Sequence, residues 1–326
     1  MRLPLVPLST IAGVGLLLSG CAASADSAGT TSDGTVQVVT ATNVYGDIAK
    51  AIGGANVSVT SIITKPSQDP HSYEATAQDK LAISKAGLII ENGGGYDVFL
   101  DTMAEDTNVD PDSIVSAVEV SGLEEGDSHE GASGSVADDS AADTEHNHDH
   151  AGFNEHVWYN FDAMGKLADA VALKLGGLKP DAAADFTANA ATFKEGLKGL
   201  SAELTNLSET SAGTAVAITE PVPLYLLEAA GLENGTPQDY SSAIEEGTDV
   251  SPAVLKETTD LASSGALAFL AYNTQTEGPQ TLAVKQAAEQ AGVPVIDFSE
   301  TLPDGKDYLG WMSENVNSVK TVLENK

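Results

Sequence analysis

Six histidines occur in this chain of 326 residues, and two of them, His71 and His156, stand apart from the other four. His71 lies in Asp69-Pro70-His71-Ser72-Tyr73-Glu74, which reads as a strand-to-helix connection. His156 lies in Glu155-His156-Val157-Trp158, just ahead of a helix. Neutral imidazole is a strong donor to borderline transition metals. A histidine of this kind taken singly is more often an ordinary surface or core residue; two that converge would begin a metal site. The second half of the chain has no histidine, so donors from there have to be carboxylates. Glu220 directly follows a buried strand in Ile218-Thr219-Glu220-Pro221. Asp297 and Glu300 lie within or just past another, in Ile296-Asp297-Phe298-Ser299-Glu300. With 48 acidic residues present, each carboxylate alone would pass for a solvated loop residue.

The elements that must position these residues alternate between periods of two and of about 3.6. Val36 to Thr40 reads as a strand and Asn43 to Gly53 as a helix, with Val44, Ile48 and Ile52 on one face. Val57 to Thr64 reads as a strand. Ala75 to Ala86 reads as a helix with Leu81 and Ile83 inward. Leu88 to Glu91 is a buried strand that runs into Gly93-Gly94-Gly95, a helix starts over Asp97 to Met103, and Ile114 to Val120 is a further strand. Helices follow over Asp162 to Gly176 and from Pro180 to about Leu207. The second of these carries Phe186, Phe193, Leu197, Leu200 and Leu204 on one stripe, with Pro180 and Asp181 placed for its first turn. Some 28 residues at 1.5 Å rise make a rod of about 42 Å, long for one compact domain. The rest reads as strand Ala215 to Ile218, helices Val222 to Ala230 and Ser251 to Ser264, strand Ala266 to Tyr272, helix Gln280 to Ala291, strand Val293 to Phe298 and helix Tyr308 to Leu323. This order predicts an α/β protein with largely parallel sheets. The two halves echo each other in layout, without a sequence repeat. Ligands in such sheets bind at the carboxyl ends of strands, where both histidine segments are expected.

Residues 122–154 break the pattern. They hold His129, His146, His148 and His150 among many Asp and Glu, with almost no large apolar residue, and read as a mobile acidic loop. The formal charge is −33, from 15 basic and 48 acidic residues. Such acidity argues against nucleic acid or an anionic membrane surface as a partner and suits cations. At the start of the chain a short apolar run, Ile11 to Leu18, precedes Leu18-Ser19-Gly20-Cys21, and Cys21 is the sole cysteine. The run is shorter than the ~20 residues of a membrane span and fits a secretory signal. Cys21 is expected to become the lipidated N-terminus of a bacterial lipoprotein, anchored to the outer face of the cell membrane. Residues 1–20 would be the signal and 21–35 a flexible tether. No disulfide within the chain is available.

Taken together, Thr64-Lys65-Pro66-Ser67-Gln68-Asp69-Pro70-His71-Ser72-Tyr73-Glu74, Glu91-Asn92-Gly93, His156-Val157-Trp158, Tyr272-Asn273-Thr274-Gln275-Thr276 and Glu300-Thr301-Leu302-Pro303 resemble the zinc/manganese-type (cluster A-I) solute-binding proteins of metal ABC importers. The acidic histidine-rich loop and the long helix resemble that family too. The resemblance covers most of the chain beyond the tether. It implies two α/β lobes, 36–179 and 209–326, joined by one rigid helix over 180–208, with a four-ligand metal site in the cleft. It also implies His71 and His156 as the first two ligands and Glu220 as the third. The fourth aligns best with Glu300, three residues past Asp297, which is the fallback. The implied function is capture of a divalent metal and delivery to the membrane permease of an ABC-type importer, by a monomer with no enzymatic role. His129, His146, His148 and His150 would form an auxiliary capture loop.

Two imidazoles and two carboxylates carry a net charge of −2 and suit Zn²⁺ as a tetrahedron, or Mn²⁺ if the carboxylates chelate. Glu220 in place of a third histidine leans toward manganese. The histidine-rich loop and the divalent affinity order lean toward zinc, which is the expected cargo. The rival readings are a surface adhesin or metal-buffering lipoprotein with a structural metal, and an extracytoplasmic zinc hydrolase. The hydrolase reading lacks a His-Glu-x-x-His helix and leaves no open coordination position.

Overall fold

The computed structural model describes Gly29, Thr31, residues 34–123 and residues 153–325. Cys21, His129, His146, His148 and His150 lie outside the described residues. Two four-stranded parallel sheets form the frame. The first contains β1 (Val36–Thr42), β2 (Val57–Ile63), β3 (Leu88–Glu91) and β4 (Ile114–Ser116), in the order β2-β1-β3-β4. The second contains β5 (Thr214–Ile218), β6 (Leu232–Asn234), β7 (Leu270–Asn273) and β8 (Val295–Phe298), in the order β6-β5-β7-β8. Each sheet therefore winds the same way, second strand first and then first, third, fourth. Each also reverses its strand order between its first and third strands, which opens a crevice at their carboxyl ends.

Alternation along the strands sorts side chains into layers. Val36 and Val38 of β1 and Leu88 and Ile90 of β3 join one core. So do Val216 and Ile218 of β5 and Ile296 and Phe298 of β8, from the other sheet. The opposite faces enter two smaller cores, with Val39, Ala41 and Ile89 in one and Ala217, Leu270 and Tyr272 in the other. Both faces of both sheets are thus covered, as parallel sheets require.

The shared core is built on the long helix. The helices preceding it are α1 (Asn43–Gly53), α2 (Ala77–Ile83), α3 (Val98–Asp106), α4 (Ala117–Ser121) and α5 (Phe161–Leu178). A 3₁₀ turn at Pro180–Ala182 leads into α6 (Ala183–Ser211), 29 residues long, on which Phe186, Phe193, Leu197, Leu200, Leu204 and Leu207 are all buried. Then come α7 (Leu224–Ala229), α8 (Gln238–Glu245), α9 (Pro252–Ser263), α10 (Pro279–Gln290) and α11 (Tyr308–Glu324). α6 packs on α5 and α1 from the first half and on α11 and α7 from the second.

Several local expectations change. β4 stops at Ser116, whose side chain accepts from the Glu119 amide and caps α4, so Ala117 to Val120 is helix rather than strand. α2 is seven residues long, started by a capping box between Thr76 and Asp79, and its Leu81 is 53% exposed whereas Ile83 is buried. The strand expected from Ala266 forms only at Leu270. β6 and α8 had no periodic signal strong enough to mark them, β6 because it is three residues long and α8 because only Tyr240 and Ser241 of its eight are buried.

Candidate metal centre

Each half contributes side chains from the crevice at its switch point. Glu220 lies two residues past β5 and Asn273 ends β7. Across from them, Gly93, Gly94 and Gly95 follow β3, all at positive φ. A Cβ at Gly93 would come within 2.2 Å of the Ser116 hydroxyl oxygen, so this turn needs glycine. The turn delivers Tyr96, which is fully buried.

The structure brings together His71, His156 and Glu300, with one donor atom of each within 4.8 Å of the others. The same cavity, about 780 Å³, is lined by Glu220 and Asp69 as well. Glu220 reaches the group through Asn273, whose side-chain amide donates to Glu220 Oε2 and, over 2.8 Å, to Glu300 Oε1. Thr276 Oγ1 also donates to Glu220. Asp297 goes elsewhere: it is exposed on β8, 3.8 Å from Lys285 Nζ.

Each member is held locally. Asp69 Oδ1 accepts from the His71 amide at 3.0 Å and Asp69 Oδ2 from the Ser72 hydroxyl at 2.6 Å, which folds the Asp-Pro-His-Ser turn on itself. The His71 ring stands edge-on to Tyr96 at 5.0 Å. His156 is 1% exposed and packs edge-on to Trp158 at 5.1 Å. Asn154 Oδ1 lies 2.8 Å from His156 Nδ1 and accepts its proton, so Nε2 keeps the lone pair. Asn154 is itself tied across the halves, with its amide donating to the Pro221 carbonyl at 3.1 Å and its own carbonyl accepting from Tyr225 Oη at 2.8 Å. Glu300 accepts from Tyr96 Oη at 3.0 Å, and its amide donates to Gln275 Oε1 at 2.8 Å.

The electrostatics suit a cation and penalise its absence. Burial pushes the Glu220 carboxyl up to about 7, with Glu300 adding to the rise. Burial also raises Glu300. His156 is held well below its usual range, first by burial and then by His71, so the imidazole is neutral, the form that binds metal. A divalent cation would replace the protons these carboxyls retain and reverse the local preference for neutral groups.

Two acidic residues at this place had no motif to mark them as ligands. Glu155 Oε1 is 3.7 Å from His71 Nε2, and Glu245 Oε1 is 3.8 Å from His156 Nδ1. Burial first, and then Glu155, Glu220 and Glu300, push Glu245 up to about 9. Glu155 was legible only as the neighbour of His156. Glu245 sits at the end of the unforeseen helix α8, and the run Glu245-Glu246-Gly247 carries no signal of its partner. Asn273 and Tyr96 likewise show their roles only in three dimensions.

Comparison with known proteins accords with this geometry. The chain is 26% identical over 264 residues to the manganese-binding lipoprotein MntA of Halalkalibacterium halodurans, covering 76% of this chain and 78% of that one. It is 26% identical over 324 residues to the iron ABC transporter substrate-binding lipoprotein MtsA of Streptococcus pyogenes serotype M1, covering 88% and 89%. The periplasmic zinc-binding protein TroA of Treponema pallidum shares the fold, with a TM-score of 0.69 at 20% identity over 89% of this chain and 99% of that one. The family model described as ZnuA, zinc-uptake complex component A, periplasmic, matches residues 38–322, and the chain belongs to that family, whose members are binding components of uptake systems rather than enzymes.

Proposed function

We propose that this protein is the metal receptor of an ABC-type importer. It captures a divalent transition metal on His71, His156, Glu220 and Glu300 and presents it to a membrane permease. Zn²⁺ is the preferred cargo and Mn²⁺ the competitor. The protein works as a monomer, held at the outer face of the membrane by a lipid on Cys21. Its working parts are an N-terminal lobe over 36–179, a linking helix over 180–208 and a C-terminal lobe over 209–326.

The observation that carries this reading is the convergence of His71, His156 and Glu300 to within 4.8 Å, from segments far apart in the chain. A neutral buried imidazole and carboxyls raised by burial have little reason to share a cavity unless a cation joins them. The relatives carry manganese and iron in their names and the fold neighbour zinc, so the cargo preference rests on the donor set and the divalent affinity order.

Competitive calorimetric titration with Zn²⁺ and Mn²⁺ tests the reading. One tight equivalent is expected in the intact protein, lost in His71→Ala and in His156→Ala, and kept when residues 124–150 are deleted. Tight binding that vanishes with that deletion and ignores His71→Ala would sink the four-ligand cleft and favour a surface metal buffer.

A further inference from the structure

His156 stands between two groups of donors. One holds His71 and Glu300; the other holds Glu155 and Glu245, and one donor atom each from Glu155, His156 and Glu245 also lie within 4.8 Å of one another, with Glu155 3.7 Å from His71 as well. Glu245 makes this second group unusual. Its side chain is 20% exposed, yet Oε1 is buried and accepts no hydrogen bond among the described residues. It is the last residue of α8, where the helix dipole disfavours an anion. Among the described residues, neither Lys nor Arg lines the cavity that holds His71, His156, Glu220 and Glu300, nor the neighbouring one of about 690 Å³ that Glu155 and Glu245 help to line. A buried carboxyl oxygen that accepts no hydrogen bond among the described residues, at an unfavourable helix end and with no Lys or Arg among the described residues that line either cavity, keeps its proton until a cation replaces it.

We infer that Glu155, His156 and Glu245 form a second, outer coordination position for a divalent metal ion, an entry position that shares the His156 ring with the inner site. Asn154 Oδ1 completes the set. It lies 2.8 Å from His156 Nδ1, and two donors bound to one cation at about 2.1 Å stand some 3 Å apart. One imidazole nitrogen and three oxygens make a harder donor set than the inner site, suited to a hydrated ion that arrives with part of its water shell. The two positions exclude each other. A neutral imidazole carries one proton, on Nδ1 while Nε2 serves the inner ion and on Nε2 while Nδ1 serves the outer one. Glu245 lines both cavities and His71 does too, so an ion passing inward would exchange Glu155 and Glu245 for His71 and Glu300, releasing His156 Nδ1 before it binds Nε2 while the ring proton passes from Nε2 to Nδ1 by exchange with solvent. This inference rests on the reading of His156 as an inner ligand.

The test disables the inner position and counts what remains. In His71→Ala/Glu300→Gln protein, Mn²⁺ binding is followed by the electron paramagnetic resonance signal of the free ion, and Zn²⁺ binding by calorimetry. One equivalent that depends on His156 and Glu245 is expected to remain, at least ~100-fold weaker than in the intact protein. Adding Glu245→Gln, an isosteric change, should lower the stoichiometry by one equivalent, whereas adding Glu220→Gln should leave it. Circular dichroism and melting establish that each variant is folded. If no equivalent remains, or if Glu245→Gln leaves the count unchanged while Glu220→Gln lowers it, the outer position does not exist. The intact protein run alongside separates the two readings: tight binding there with no Glu245-dependent equivalent overturns only the outer position, and no tight binding there overturns both.

Discussion

Asp297 and Glu300 are three positions apart and meet opposite environments. β8 turns Asp297 to solvent beside Lys285, while Glu300, 5% exposed, receives hydrogen bonds from Tyr96 and Asn273. Glu300→Ala is therefore expected to weaken metal binding by a hundredfold or more, and Asp297→Ala to leave it within twofold, in the same calorimetric titration. Asn273 is the next residue to change. Its amide holds Glu220 and Glu300 at once, and removing such a supporting partner commonly costs 10–100-fold in metal affinity. Asn273→Ala should lower affinity by about that factor and leave the melting temperature of the metal-free protein little altered. A drop in stability with unchanged affinity would make Asn273 a purely structural residue.

Among the elements, α6 carries the most consequence. Its buried stripe joins a core that takes side chains from both sheets, so a cavity there is felt in both halves. Phe193→Ala should cost about 3–5 kcal/mol and Leu200→Ala about 2–5 kcal/mol, read from denaturant unfolding as a shifted midpoint of one cooperative transition. Two separated transitions would mean that the halves unfold independently. Leu81→Ser, on the exposed face of α2, should move the midpoint by no more than about 0.5 kcal/mol. The stripe on α6 was legible because 29 residues sample the helical period many times. α4 and α8 were not, since five and eight residues sample it once or twice. In α4 a run that also suits a strand became helix through the Ser116 cap, a contact that periodicity does not encode.

At the scale of the whole molecule, the excess of buried acid sets the response to pH. Burial raises Glu220 to about 7, and Glu91 and Glu245 to about 9. A carboxyl raised on folding holds its proton more tightly in the native state, so its contribution is greatest below its unfolded value and is lost as pH climbs through the folded one. His156, depressed by burial, works in the opposite sense, but only below its ordinary value of 6.5. Metal-free protein should therefore lose stability between about pH 6.5 and 9, and Glu245→Gln should flatten the slope in thermal melts. With metal bound the slope should shrink, because the cation replaces the protons. Movement between the halves is constrained too. Asn43 exchanges hydrogen bonds with the backbone of Leu302 at 2.8 and 2.9 Å, the Tyr308 amide donates to Asp47 at 2.8 Å, and Tyr159 donates to the Ser299 carbonyl at 2.9 Å. Metal-free and metal-bound crystals should differ by local shifts around Glu220 and Glu300. A rotation of one half against the other by tens of degrees would refute the rigid-rod reading.

The sequence by itself determined the layering and the class of chemistry. Strand alternation and helical periodicity are local, and they were enough to expect two α/β halves and a long helix between them. Histidine and carboxylate types suited a metal, and the family resemblance implied a site of His71, His156, Glu220 and Glu300, with Asp297 as the fallback. Only the tertiary structure separates those two carboxylates, because Asp297 lies on β8 and faces solvent while Glu300 lies two residues past the strand, buried in the cavity that His71 and His156 line. It alone placed Tyr96, Asn154 and Asn273 on the donors. It alone brought Glu245, from a helix that periodicity did not mark, to within 3.8 Å of His156. Apart from Asn154, two residues from His156, those contacts join residues tens to hundreds of positions apart, and no local signal carries that distance.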